Sequence, residues 1–120
     1  MLLASQVLTG LVAVLHVYFL VLEMFLWATP YGQKTFGRTA AQQEDTKVLA
    51  ANQGLYNGFL VAGLLWSLVG DPVYALPIRL FFLGCVVVAG IYGGLTANRK
   101  ILFVQAVPAA IALAVTLALR

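Results

Sequence analysis

The chain has 120 residues, 62% of them hydrophobic and only 9% charged, with a mean hydropathy of +0.98. Soluble domains carry charge on about a quarter of their residues, so an ordinary soluble or disordered chain is excluded and a single integral membrane domain over residues 1–120 is expected. Seven basic and four acidic residues leave a net charge of +3, but the basic side chains are scattered over loops and ends. No nucleic-acid patch is formed.

Four apolar stretches follow one another: Leu2 to Trp27, Val48 to Val69, Val73 to Leu95 and Ile101 to Leu119. Each approaches the roughly 20 residues that cross a hydrocarbon core of about 30 Å. The first lacks the basic leader and the small-residue cleavage site of a secretory signal, and it exceeds the usual apolar run of about 7–15 residues. It is read as mature structure.

Pro30 and Gly32 are expected to stop the first helix. The connection from Ala28 to Lys47 is the longest, and helix formers from Thr39 onward predict that the second helix begins before the membrane. Glu44 and Asp45 then lie near its positive N-terminal end. Gly70 to Pro72 form a tight turn. Pro77 is placed near the start of the third helix, where a missing N–H matters little, and Arg79, about a turn inside, is expected to snorkel outward. Thr96 to Lys100 make a short turn, and Pro108 is expected to kink the fourth helix and free a carbonyl near Gln105. Short second and third connections imply an all-α, up-down four-helix bundle.

Lys34, Arg38, Lys47, Arg99 and Lys100 lie in or beside the first and third connections, against Arg79 and Arg120 on the other side. The positive-inside bias therefore places both termini on the outer side of a bacterial inner membrane. The only cysteine, Cys85, lies mid-span. There is no disulfide framework and no cysteine-rich metal motif.

Thr9, His16 and Glu23 recur at seven-residue intervals, which keeps them within about 20° per step on one helix face. That face must meet protein, because an ionisable side chain turned to lipid costs at least about 2.5 kcal/mol. Glu23 should accordingly be protonated or paired. On the second helix Asn52, Gln53, Tyr56 and Asn57 spread over an arc of about 140°, with Gly54 and Gly58 outside it as a small face for close packing. Tyr92 and Thr96 on the third helix and Gln105 on the fourth fall at similar depth. These groups from four helices are expected to converge in the cytoplasmic half.

The stretches "HVYFLVLEMFLW", "AANQGLYNGFL" and "YGGLTANRK" together resemble an uncharacterised group of small bacterial four-helix membrane proteins, a domain of unknown function. The similarity spans essentially the whole chain, and NQGxYNG is its most specific part. It implies a four-helix architecture and no particular activity. The layout is also similar to the membrane-associated eicosanoid and glutathione metabolism family; the glutamate that family carries beside its second-helix amides has no counterpart here, where Tyr56 and Asn57 stand. A looser likeness is to small haem-containing membrane epoxide isomerases, for which His16 is the sole candidate ligand.

The expected function is a cytoplasm-facing intramembrane site for a small lipophilic molecule, in a homo-oligomer embedded in membrane lipid. Glu23, His16 and Tyr92 are the candidate catalytic residues. Asn52, Gln53, Tyr56, Asn57, Thr96 and Gln105 are the candidate binding residues. A proton-linked transporter using Glu23 and His16, a haem-binding isomerase and a purely structural subunit are the alternatives. No phosphate-binding loop, dinucleotide fingerprint, nucleophile elbow or zincin motif is present.

Overall fold

The computed structural model describes residues 1–119; Arg120, assigned above to the outer side, lies outside the described residues. All regular elements among these residues are helical: α1 (Leu2–Val21), α2 (Pro30–Phe36), α3 (Ala40–Val69), α4 (Pro72–Thr96), α5 (Arg99–Ile101) and α6 (Val107–Leu117). Two π turns join them, Leu22–Leu26 after α1 and Leu102–Ala106 before α6. Four continuous helical stretches are long and apolar enough to cross a membrane: Leu2–Leu26, Ala40–Val69, Pro72–Thr96 and Arg99–Leu117.

Several local details depart from the sequence expectation. Pro30 ends nothing: it opens α2 at a first-turn position where no N–H is needed, and the Thr29 hydroxyl accepts the Gly32 N–H. Gly37 closes α2 in the left-handed region at φ +62°, which glycine adopts without steric penalty. As expected, α3 begins ahead of its apolar stretch, at Ala40. In α4 the first-turn proline is Pro72, capped by the Asp71 carboxylate, which accepts the Val73 N–H at 2.9 Å. Pro77 consequently lies inside the helix.

Pro108 stands in the first turn of α6, directly after the second π turn, where the Val107 N–H bonds back to the Leu102 carbonyl. The change to i+5 pairing thus falls directly ahead of the proline, which has no N–H to donate. Arg79 does not snorkel outward. It is 2% exposed and hydrogen-bonded among neighbouring helices.

The chain forms two compact units, Met1–Val14 with the residues from Ala62 onward, and Leu15–Val61. In the first, Leu64, Leu83, Val86, Ala109 and Ala112 have no exposed surface. Gly90 faces Ala106 and Gly94 faces Leu102 so closely that an added methyl would lie 2.7 Å from the Ala106 nitrogen or the Leu102 Cβ. The opposed numbering makes this approach antiparallel. In the second unit Gly54 faces Met24 and Gly58 faces Leu20 in the same antiparallel sense, the close packing expected of the small face.

Thr9 is fully buried, and its hydroxyl has no hydrogen-bond partner among the described residues. An unmet buried hydroxyl costs about 1–3 kcal/mol. Thr9→Val, which keeps the shape and removes that group, should therefore raise stability by about 1 kcal/mol in thermal denaturation of the detergent-solubilised protein. A loss of stability would show that the hydroxyl is satisfied.

Candidate functional site

The candidate site is built within the Leu15–Val61 unit, where α1 ends in its π turn. A π turn inserts one residue into the i to i+4 pattern and re-aims the side chains it carries; such turns are frequent at functional sites. This one carries Glu23. Opposite it, the Asn57 side-chain amide donates to the Glu23 carboxyl oxygen Oε1, and Asn57 is buried at 8% exposure.

The approach that makes this bond depends on Gly54. A Cβ there would meet the Met24 Cγ at 2.6 Å and the Glu23 Cβ at 3.1 Å. Residues on a helix advance by about 100°, so Asn57 lies about 60° from Gly54 on the surface of α3, while Asn52 and Tyr56 point roughly 160° away. This explains the burial of Asn57 and the exposure of Asn52, Gln53 and Tyr56. Of the second-helix arc, one amide reaches the carboxyl.

Beside the pair lies a cavity of about 350 Å³, walled by Glu23, Phe25, Trp27, Val48 and Ala51, with Lys47 at its edge. Its apolar lining with one acidic and one basic group is the usual composition of a small-molecule site, and its volume lies at the lower end of the range of about 300–1,000 Å³. The exposed Lys47 ammonium pairs with Glu44 one turn earlier.

The walls are fixed by polar contacts that sequence reasoning did not anticipate. The Trp27 indole donates to the Thr46 hydroxyl at 3.0 Å, and the fully buried Gln43 amide donates to the Trp27 carbonyl at 2.8 Å. Arg38 in turn donates to the Gln43 side-chain oxygen at 2.8 Å. Gly32 sits so close to the Leu26 and Trp27 carbonyls that any Cβ would overlap them. The short helix α2 is thereby pinned against the end of α1.

The remaining candidates are placed as follows. His16 is fully buried, its ring edge-on to Phe19 at 5.2 Å between centroids. It lies about 10 Å along α1 from Glu23 by helical rise, as does Thr9 from His16. Tyr92 is 71% exposed, and its carbonyl accepts the hydroxyl of the exposed Thr96 at 2.6 Å. Gln105 is half-buried within the second π turn. Each π turn thus holds one of the sequence-selected polar residues. Among the described residues no three histidine, cysteine, aspartate or glutamate side chains are grouped to hold a metal ion.

Helices alone among the described residues, four of them long and apolar enough to cross a membrane, with a carboxyl and an amide joined beside a largely apolar cavity, are the features of a small multi-pass membrane protein. The family described as "Protein of unknown function (DUF1304)" matches over residues 10–117, and the chain belongs to it. The "Uncharacterized protein YpaA" of Lactococcus lactis subsp. lactis (strain IL1403) is 31% identical over 101 residues, which cover 82% of this chain and 84% of that protein. These findings agree with the uncharacterised bacterial family expected from the motifs. No solved structure matches the chain.

Two substitutions test the construction of the site. Asn57→Leu, which strips the carboxyl of its partner, should cost about 1–3 kcal/mol, and Gly54→Leu, which forces the helices apart, a similar amount. Thermal denaturation in detergent reads both. Wild-type stability in either would show that the Glu23–Asn57 contact is not formed in the folded protein.

Proposed function

We propose that this protein binds a small lipophilic molecule in the cavity beside Glu23, with the molecule's polar end hydrogen-bonded to that carboxyl. The observation that carries the reading is the Glu23–Asn57 bond at the wall of a largely apolar cavity. Ionisable side chains within membrane spans generally serve function. Asn57 orients the carboxyl, Lys47 offers a second polar contact at the rim, and Phe25, Trp27 and Val48 cover the apolar part of the ligand. If the bound molecule is also transformed, Glu23 is the group positioned to move a proton.

In this reading the protein resides in the bacterial inner membrane with its termini outside and the cavity toward the cytoplasm, following the distribution of Lys34, Arg38, Lys47, Arg99 and Lys100. Asn52, Gln53, Tyr56 and Tyr92, which this chain leaves exposed, then meet a second copy in a homo-oligomer, because amides turned to hydrocarbon are unfavourable.

The Glu23–Asn57 bond itself favours one competing reading, a structural clasp between α1 and α3. Glu23→Gln separates the two, since glutamine keeps the shape and a hydrogen-bonding oxygen for Asn57. Organic extracts of protein purified in mild detergent, compared by mass spectrometry, should show the retained lipophilic molecule reduced about ten-fold or more in the variant, equivalent to about 1.4 kcal/mol, at unchanged thermal stability. Equal retention would leave the clasp as the function of the pair.

A further inference from the structure

The mechanism proposed for Glu23 leaves Arg79 unused, and Arg79 is the most unusual residue of the Met1–Val14 and Ala62-onward unit. Its guanidinium is 2% exposed. Nε donates to the Ser67 hydroxyl at 3.3 Å, Nη1 to the Ser5 hydroxyl at 3.0 Å and Nη2 to the Ser67 carbonyl at 2.8 Å. All three acceptors are neutral. Among the described residues the one ion pair is Lys47–Glu44, and Asp71, the acidic residue closest in sequence to Arg79, caps the start of α4.

The hydroxyls are oriented for a cation. Thr116 donates to the Ala112 carbonyl at 2.7 Å, so the Ser5 hydroxyl, 2.7 Å from Thr116, must donate to it and turn its lone pairs to Arg79. Ser67 likewise donates to the Leu64 carbonyl at 2.7 Å. Arginine has five N–H donors and keeps its charge in proteins. Three are engaged, leaving one on each terminal nitrogen, the pair that clasps an oxyanion with two parallel hydrogen bonds. A buried positive charge without a counter-charge is costly, and a bound anion removes that cost.

Arg79 borders a cavity of about 310 Å³ whose other walls include Gln6, Leu2, Leu68, Leu76 and Leu119. Leu2 begins α1, Leu68 lies in the last turn of α3, Leu76 lies in the second turn of α4 and Leu119 follows α6. The cavity therefore lies at one shared end of the apolar helices, where headgroups meet acyl chains. We infer that it is a binding site for an anionic amphiphile, a phosphate or carboxylate carried on an acyl chain, with the oxyanion on Arg79 and Gln6 and the chain along the leucines. The site is separate from Glu23 and stands whether or not that reading holds.

The test uses the full-length protein in neutral detergent, titrated with phosphatidylglycerol, phosphatidylcholine or inorganic phosphate, with retention followed by native mass spectrometry and the denaturation midpoint recorded. Phosphatidylglycerol should be retained at about one per chain and raise the midpoint by several degrees, as mass action requires of a ligand bound only to the folded state; the zwitterionic lipid should do neither. Arg79→Gln should weaken retention about ten-fold or more. Should that variant fail to fold, Ala75→Leu decides, because it fills the cavity from a lining position and leaves the three arginine bonds in place. Loss of the phosphatidylglycerol preference in Ala75→Leu supports the site. An unchanged preference overturns it, and so does equal stabilisation by inorganic phosphate, which would mark a free-anion site with no place for the chain.

Discussion

A hydrogen-bonding group immersed in hydrocarbon has no water to turn to, so it must find its partner within the protein or leave the membrane. Nearly every informative feature of this chain follows from that constraint. Glu23 meets Asn57. Arg79 is surrounded by serine oxygens, and Ser5 and Thr116 bond each other. The glycines serve the same end, since interhelical bonds form only where backbones approach closely, as Gly54 allows beside Glu23.

The backbone obeys the constraint as well. Within the four long helical stretches the two departures from α-geometry, Leu22–Leu26 and Leu102–Ala106, are π turns, which continue the helix while changing the direction of side chains. One re-aims Glu23. The other bridges into α6 just ahead of Pro108. A soluble protein could leave such breaks to water; a spanning helix cannot.

Two cavities of similar size follow, and they differ in chemistry. One offers a carboxyl with an amide, with Lys47 at its edge. The other offers a guanidinium among neutral acceptors. The polar groups of the two cavities therefore differ, while aromatic side chains line the first and leucines the second. The family the chain belongs to is one of unknown function, so the ligands proposed above rest on the chemistry of these side chains.

Much of this was legible in the sequence. Runs of about 20 apolar residues specify spanning helices because hydrocarbon thickness sets their length. The seven-residue recurrence of Thr9, His16 and Glu23 announced an inward face, and Thr9 and His16 are indeed fully buried. The glycine pair at positions 54 and 58 announced close packing. Composition and periodicity are local quantities, and these features depend on nothing else.

Partner choice was settled only by tertiary structure. An arc of four polar residues on α3 does not say which one faces α1; the contact direction selected by Gly54 admits Asn57 and turns Asn52 and Tyr56 away. Arg79 near a helix start has the pattern of a side chain that reaches outward. Its inward path depends on Ser5 and Ser67, residues 74 and 12 positions distant. Hydrogen bonds across such separations leave no periodic trace in the chain, because they depend on where whole helices come to rest.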